Sequence, residues 1–223
     1  MRCVNRSSGE NAIGTRALTA LLAAVALLLS ACADPVRHAA IPTGSTVVAF
    51  GDSVTYGTGA GSGEDYPTRL AAISNWQVIN AGIPGDTARE ARSRLAPLLA
   101  RHDPALVIIE LGGNDFLRKR PERDVRNDLE AMVREVQDTG AIAVLVAVPR
   151  LSLLRASTGT LDDSEIYAEV AGVTGAPLVE NTFSEVLSDD ELRADRIHPN
   201  AEGYLRLAEG IAEQLTSAGL LNP

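Results

Sequence analysis

Three residue types that can together attack an acyl carbon occur in two short segments of the sequence. Ser53 ends the segment Gly-Asp-Ser, and Asp195 lies three residues before His198. A serine hydroxyl becomes a strong nucleophile when an imidazole takes its proton, and the imidazole needs an acid to fix its tautomer. We therefore expect Ser53 to act as the nucleophile, His198 as the base and Asp195 as the group that orients the ring.

Two further segments could supply hydrogen-bond donors for the same reaction. Attack on an acyl carbon creates a negatively charged oxygen, which must meet donors that are already in place. The backbone N–H groups of Ser53 and Gly85 and the side-chain amide of Asn114 are the candidate donors. Glycine lets the backbone approach a ligand closely, and asparagine is one of the few neutral side chains that can donate.

Each of these residues also has a purely structural interpretation. Ser53 could form a turn after a strand, Asn114 could cap a helix, and His198 could bond to the backbone of its loop. His102 is best explained as a residue at a helix C-terminus. The chemical interpretation of the others is favoured because all the types that the reaction needs occur together.

The elements that must position these residues form an alternating pattern. Five short apolar segments rich in β-branched residues predict strands covered on both faces, as in a parallel sheet. Amphipathic segments separate them, so we expect one three-layer α/β/α domain with a mainly parallel five-stranded sheet. The loops after parallel strands meet at one edge, where we place the site. The predicted strands are Thr46–Phe50, Trp76–Asn80, Ala105–Leu111, Ala141–Val148 and Pro177–Glu180.

The helical segments have recognisable ends. Thr87–Arg101 begins with a capping box between Thr87 and Glu90, and Pro97 is expected to bend or end its last turn. Pro121–Thr139 begins with proline and is followed by glycine. The other predicted helices are Asp163–Thr174 and one that starts after Asn200, and Thr55–Gly63 is expected to be a loop at the rim of the site.

The first 31 residues have the features of a secretory signal peptide. Basic residues precede the apolar run Ala17–Leu29, which is shorter than the roughly 20 residues that a membrane-spanning helix needs. The segment Leu29–Cys32 resembles the lipobox of bacterial lipoproteins, in which a lipid is attached to the cysteine and the chain is cut before it. The alternative is an ordinary signal peptide with an incidental cysteine.

These features predict three regions in the chain. We expect residues 1–31 to be a lipoprotein signal peptide, residues 32–45 a tether attached to lipid through Cys32, and residues 46–223 the folded domain. The expected location is the surface of a bacterial membrane in the cell envelope.

Composition excludes several other classes of function. The formal net charge of −9 opposes binding to nucleic acid, which needs clustered Lys and Arg. Both cysteines, Cys3 and Cys32, precede the domain, so the domain has no thiol for catalysis, zinc binding or a disulfide. Its histidines, His102 and His198, are too few for the ligand set of a metallophosphoesterase.

The segments around Ser53, Gly85, Asn114 and His198 resemble the motif blocks of the SGNH hydrolases, the GDSL-type esterases and lipases. The resemblance extends from Thr46 to the C-terminus and is closest to the thioesterase/lysophospholipase-like branch, as the segment Glu-Leu-Gly-Gly-Asn-Asp ending at Asp115 indicates. It implies the flavodoxin-like SGNH fold, the catalytic and oxyanion roles given above, and no metal or cofactor. Gly82 is the alternative to Gly85 in the same loop.

The resemblance leaves the substrate open. The loop Pro149–Leu161 departs from the thioesterase-like branch, so the acyl-chain length is not fixed, and the absence of G-x-S-x-G argues against the α/β-hydrolase form of the triad. We expect a serine esterase whose partner is a small acyl ester, with thioesters and lysophospholipids as candidate substrates. The alternatives are a carbohydrate O-acetylesterase of the cell envelope and a non-catalytic envelope binding module on the same fold.

Overall fold

The computed structural model describes residues 38–150 and 160–222. Within these ranges one sheet of five parallel strands has the order β2-β1-β3-β4-β5, which confirms the predicted parallel sheet. The strands are β1 Thr46–Gly51, β2 Gln77–Gly82, β3 Leu106–Glu110, β4 Ile142–Val146 and β5 Leu178–Val179.

Helices cover both faces of this sheet. They are α1 Ser53–Tyr56, α2 Tyr66–Ser74, α3 Ala88–Arg92, α4 Leu95–His102, α5 Gly113–Leu117, α6 Glu122–Asp138, α7 Ile166–Thr174, α8 Thr182–Ser188 and α9 Ala201–Ser217, with a 3-10 turn at Asp190–Leu192. Helix α9 packs against α2 and α8, whereas α6 packs against α3, α4 and α7. Right-handed connections between parallel strands produce this division into two helical layers.

The central strands supply the core between the layers. All five residues of β3 are buried, and β4 is buried from Ala143 onward, as expected for strands covered on both faces. Strand β2 lies at the edge of the sheet and is partly exposed. Helix α6 packs on this core through one apolar face of five fully buried residues: Val125, Leu129, Met132, Val133 and Val136.

The prediction of a single helix over Thr87–Arg101 is wrong. The predicted capping box of Thr87 and Glu90 is present, but the segment forms two helices, α3 and α4, that are separated at Ser93 and Arg94. Pro97 does not cause the break. It lies in the first turn of α4, where a missing N–H removes no helical hydrogen bond and the fixed φ of proline suits the helix.

Other differences from the predicted helices have local causes. The helix predicted from Asp163 begins at Ile166, because the Asp163 carboxylate instead accepts hydrogen bonds from the Asn181 N–H and the Ser184 hydroxyl. The short helices α1, α5 and α8 and the helix α2 were not predicted. The loop expected over Thr55–Gly63 begins inside α1, so that prediction is wrong for its first two residues. The departing loop Pro149–Leu161 lies mostly outside the described residues.

The chain enters the domain at the amino edge of the sheet. The Ile41 N–H donates to the Leu220 carbonyl at 2.8 Å, and the Trp76 indole donates to the Ile41 carbonyl at 3.3 Å. Ile41 is buried, so the packed part of the chain begins before Thr46, inside the predicted tether. The predicted signal peptide and Cys32 lie outside the described residues. None of the helices within residues 38–150 and 160–222 combines the length and apolar character needed to cross a bilayer.

Two glycines that lie inside helices provide a matched test of this packing. A Cβ on Gly203 in α9 would lie 2.2 Å from the Leu192 carbonyl oxygen, whereas a Cβ on Gly172 in α7 meets no atom within 4 Å. We expect Gly203→Ala to destabilise the domain by about 1–3 kcal/mol through overpacking. Gly172→Ala should stabilise it by about 0.5–1 kcal/mol, because alanine favours the helix. Thermal unfolding of the two variants tests this, and shifts in the same direction would contradict it.

Candidate active site

Four loops bring the predicted site residues to the carboxyl edge of the sheet. Ser53 is the first residue of α1, directly after β1, and Asn114 lies in α5 after β3. Gly85 lies in the loop after β2, and His198 lies in the loop before α9. Ser53, Asn114 and His198 line one small pocket, and the Asn114 amide bonds to the carbonyl of Asp86, which follows Gly85, so the four loops meet at this edge.

Ser53, His198 and Asp195 form a continuous chain of hydrogen bonds. The His198 Nε2 lies 2.9 Å from the Ser53 Oγ, and the His198 Nδ1 lies 2.8 Å from the Asp195 Oδ2. The other carboxylate oxygen of Asp195 accepts the N–H groups of Ile197 at 2.8 Å and His198 at 2.9 Å. An Nδ1–H that donates to Asp195 leaves Nε2 free to accept the serine proton.

The Asp195 carboxylate is held in its ionised form by these contacts. Partial burial would raise its pKa, but the hydrogen bonds from the His198 ring and the Ile197 N–H outweigh that effect and lower the pKa. The side chain of Asp195 is 55% exposed and that of His198 is 13% exposed. The ring is therefore sheltered from solvent, while the acid that orients it faces water.

The two backbone groups predicted as oxyanion donors remain available in the structure. The N–H groups of Ser53 and Gly85 have no hydrogen-bond partner among the described residues. Gly85 has a φ of +88°, in the left-handed region that favours glycine. The alternative, Gly82, plays a different part, because its N–H donates to the Asn80 Oδ1 at 3.0 Å and a Cβ there would lie 2.2 Å from the Tyr56 nitrogen.

The Asn114 amide is already engaged by two acceptors. Its Nδ2 donates to the Asp52 Oδ2 at 2.9 Å and to the Asp86 carbonyl at 3.0 Å. An amide nitrogen has two hydrogens, so a substrate oxygen could be bound only if it shared one of them. The structure thus places Asn114 in the pocket, but as a donor that links two loops in the free protein.

A buried acid lies directly beneath Ser53. Asp52 is 3% exposed, and its Oδ1 caps α1 by accepting the Val54 N–H at 3.0 Å. Burial raises the pKa of Asp52 to about 6, although the hydrogen bonds from Val54 and Asn114 oppose the shift. The carboxylate therefore fixes both the helix that begins at Ser53 and the Asn114 amide.

Glu110 and Thr55, which lie behind Asp52, were not predicted to belong to the site. Glu110, at the end of β3, is 1% exposed and accepts the Thr55 hydroxyl at 3.0 Å, which also bonds to the Tyr66 hydroxyl at 3.0 Å. Burial raises the pKa of Glu110 well above its usual range, and the neighbouring Asp52 charge raises it further. The signal in the sequence was an acidic residue at the end of the apolar run Ala105–Leu111.

Asp115 joins the Asn114 loop to the Gly85 loop. It is fully buried, and its Oδ2 accepts the Ala88 N–H at the start of α3 at 2.8 Å. Its other oxygen pairs with Arg120, which also bonds to Asp128 at 2.8 Å. Burial raises the pKa of Asp115, while the bonds from Ala88 and Arg120 oppose this. Without Arg120, a carboxylate would be buried with no nearby cation.

The pocket beside Ser53 is small and partly apolar. Its volume is about 20 Å³, room for roughly one water molecule. The apolar part of its lining consists of Val54, Leu117, Val148, Phe183 and Ile197. In the part of the chain that the structure describes, there is no cluster of three or more His, Cys, Asp or Glu side chains suited to a metal ion.

Comparisons with known proteins identify the family of this chain. Residues 49–206 match the model of the GDSL-like Lipase/Acylhydrolase family. The chain belongs to this family. Within this SGNH hydrolase family, the chain is similar to Thioesterase 1/protease 1/lysophospholipase L1 of Escherichia coli, with 31% identity over 76% of this chain and 83% of the relative. It is also similar to Esterase TesA of Pseudomonas aeruginosa, with 32% identity over 83% of this chain and 95% of the relative.

Solved structures of family members have the same fold. A crystal structure of TesA matches 78% of this chain and 99% of its own chain, with a TM-score of 0.67 and 29% identity. The psychrotrophic esterase EstA from Pseudoalteromonas sp. matches 78% of this chain and 97% of its own, with a TM-score of 0.66 and 25% identity. As a GDSL/SGNH family member with esterase and thioesterase relatives, the chain is a carboxylic ester hydrolase.

The buried Asp52 should make stability depend on pH. Because its folded-state pKa of about 6 exceeds the ordinary 3.8, the folded protein binds this proton more tightly than the unfolded chain. Its stabilising contribution is full below about pH 4 and is lost as the pH rises through about 6. The difference in pKa corresponds to about 2–3 kcal/mol. The free energy of unfolding of the wild type, relative to Asp52→Asn, should fall by that amount over this range.

Chemical unfolding at a series of pH values measures this difference. Asparagine resembles the carboxyl in shape but does not titrate. Its NH2 group cannot accept one of the two hydrogen bonds that Asp52 accepts, which lowers stability at every pH, so the change of the difference with pH reports the charge of Asp52. Asp138→Asn, at the exposed end of α6, is the matched control. A difference between the wild type and Asp52→Asn that stays constant with pH would contradict the prediction.

Proposed function

We propose that this protein hydrolyses short-chain acyl esters with Ser53 as the nucleophile, His198 as the general base and Asp195 as the acid that orients the ring. The observation that supports this most strongly is the unbroken chain of hydrogen bonds from Asp195 through His198 to the Ser53 hydroxyl. The N–H groups of Ser53 and Gly85 have no partner among the described residues, and the Asn114 amide joins their two loops by bonding to Asp52 and Asp86. A nucleophile, a base and free donors in one pocket are what acyl transfer requires.

The first half of the proposed reaction acylates the enzyme. The Ser53 Oγ attacks the acyl carbon while its proton passes to the His198 Nε2, and Asp195 stabilises the resulting imidazolium. The carbonyl oxygen becomes an oxyanion that accepts the N–H groups of Ser53 and Gly85 and shares a hydrogen of Asn114. When the C–O bond to the alcohol breaks, the alcohol leaves with the proton from His198, and the acyl group stays on Ser53.

The second half returns the enzyme to its starting state. A water molecule attacks the acyl carbon of the acyl-Ser53 ester while His198 takes one of its protons. The same donors stabilise the second oxyanion. Collapse releases the carboxylic acid, and the proton on His198 returns to the Ser53 oxygen. No metal or organic cofactor takes part in any of these steps.

The size of the pocket supports short acyl groups. The described residues leave about 20 Å³ beside Ser53, which suits a methyl or a similarly small group. The Escherichia coli relative is named a thioesterase and lysophospholipase, so thioesters and lysophospholipids are further candidates that share the same acyl chemistry. The small volume beside Ser53 supports the shorter acyl groups in that set.

A carbohydrate O-acetylesterase is the second candidate function. The small pocket favours it as well, because an acetyl group on a sugar needs the same narrow site as an acetyl group on a simple alcohol. The two candidates differ in the alcohol part of the ester. Release of acetate from an acetylated glycan, compared with acetate release from a simple alcohol ester, distinguishes them.

We also propose that Cys32 is lipidated and that the domain is displayed on a membrane of the cell envelope. The proposal rests on the basic and apolar leader and on the sequence Leu-Ser-Ala-Cys that ends at Cys32. The mass of the amino-terminal peptide from the mature protein tests it. An unmodified peptide that begins at another residue would contradict it.

Ser53→Ala should abolish ester hydrolysis without unfolding the domain. Loss of the nucleophile removes the covalent step, so the rate with p-nitrophenyl acetate should fall by at least about 10³-fold. Ser93→Ala, at the turn between α3 and α4, is the matched control and should keep full activity. Undiminished hydrolysis by Ser53→Ala, with an unchanged melting temperature, would reject the proposed mechanism.

The size of the pocket also predicts a preference for short chains. With p-nitrophenyl acetate, butyrate, octanoate and laurate, kcat/KM should be highest for the two short esters, because the small pocket beside Ser53 suits a short acyl group. Differences of about 1–3 kcal/mol per badly fitted methylene are typical of apolar pockets. A maximum at octanoate or laurate would overturn the short-chain assignment and leave the acyl-transfer mechanism intact.

A further inference from the structure

Arg94 connects three segments at the carboxyl edge of the sheet. Its Nε donates to the Asp86 carboxylate, its Nη1 to the Ala81 carbonyl and its Nη2 to the Gly51 carbonyl, each at 2.7 Å. The guanidinium carbon lies 4.2 Å from the centre of the Phe50 ring. All three nitrogens are therefore engaged, and the aromatic ring makes a cation–π contact with the group.

The three acceptors belong to the segments that position the proposed oxyanion donors. Gly51 precedes Asp52 and Ser53, so its carbonyl is two residues from the first donor. Asp86 directly follows Gly85, which is the second donor. The Asp86 carbonyl also accepts the Asn114 amide at 3.0 Å, so Arg94 reaches the third donor through the same residue.

The break between α3 and α4 places Arg94 at this junction. Arg94 precedes the first residue of α4, and its backbone N–H bonds to the Ala91 carbonyl at 3.0 Å. Its side chain is 21% exposed and that of Asp86 is 17% exposed, so the ion pair is largely shielded from water. Arg92, two residues earlier, is half exposed and lies 3.7 Å from Asp128, so it makes no comparable set of bonds.

We propose that Arg94 is a positioning residue that sets the distance between the N–H donors of Ser53 and Gly85. It does not contact the substrate; it acts through Gly51, Ala81 and Asp86. This inference rests on the proposed function, because it assumes that these donors stabilise the oxyanion. A lysine has its three N–H donors on one nitrogen, whereas three separate nitrogens of the planar Arg94 group reach the three acceptors, so lysine cannot reproduce this arrangement.

The test compares Arg94→Lys with Arg92→Lys. Lysine keeps a positive charge opposite Asp86, so Arg94→Lys should fold, and far-ultraviolet circular dichroism and a melting curve check this. The concentration of active sites is measured by complete labelling with a fluorophosphonate. The kinetic parameters kcat and KM for p-nitrophenyl acetate are then expressed per labelled site, so that a partly unfolded sample cannot mimic a catalytic defect.

We expect Arg94→Lys to lower kcat by about 10- to 100-fold and to leave KM within about twofold, since misplaced donors weaken the transition state and not the bound ester. The affinity for a trifluoromethyl ketone, which forms a tetrahedral adduct on the serine, should fall by the same factor as kcat/KM. Arg92→Lys should match the wild type. A kcat per labelled site within twofold of the wild type in Arg94→Lys would overturn the inference.

A second variant covers the case in which Arg94→Lys does not fold. Asp86→Asn keeps the shape of the side chain and an oxygen acceptor but removes the charge that holds the Arg94 Nε. We expect a smaller loss of kcat than in Arg94→Lys, again without a change in KM, and an unchanged kcat would overturn the inference. Ser53→Ala distinguishes failure of the proposed function from failure of the inference about Arg94. If Ser53→Ala is active, the proposed function fails. If Ser53→Ala is inactive and the Arg94 variants are fully active, only the role of Arg94 is rejected.

Discussion

The carboxyl edge of the sheet meets two opposing demands, because its polar groups must be paired while a few donors must stay available. The carbonyls of Gly51 and Ala81 accept Arg94, and the Asn114 amide bridges two loops. The N–H groups of Ser53 and Gly85 have no partner among the described residues and are only partly buried. Water can hydrogen-bond to these N–H groups until a substrate oxygen replaces the water. This edge therefore tolerates donors without a protein partner, whereas such donors would be costly in a buried core.

Three buried carboxyl groups beneath these loops avoid the cost of a buried charge in different ways. Asp115 pairs with Arg120, whereas burial raises the pKa of Glu110 well above its usual range and so disfavours its charged form. Asp52 lies between these cases, because burial raises its pKa while the hydrogen bonds from Val54 and Asn114 favour the charge. Burying polar groups is costly, and each of these groups connects segments that are distant in the sequence. Part of the stability of the domain is thereby given up for a fixed arrangement around Ser53.

The sheet and the main site residues could be predicted from the sequence because their signals are local. Apolar β-branched runs mark strands, parallel strands place their following loops at one edge, and only two histidines, His102 and His198, follow Thr46 in the sequence. The break before α4 could not be predicted, because it is associated with hydrogen bonds from Arg94 to segments up to 43 residues away. The contact of Thr55 with Glu110 was missed for the same reason, since 55 residues separate them.

The hydrogen bond between Ile41 and Leu220 has a practical consequence. It brings two distant parts of the chain together at the amino edge of the sheet, opposite the edge where Ser53 lies. A carrier protein or solid support joined near either residue would meet the face of the domain that has no part in binding the ester. The same adjacency permits circular permutation, in which a short peptide joins these two positions and new ends are opened in an exposed loop elsewhere.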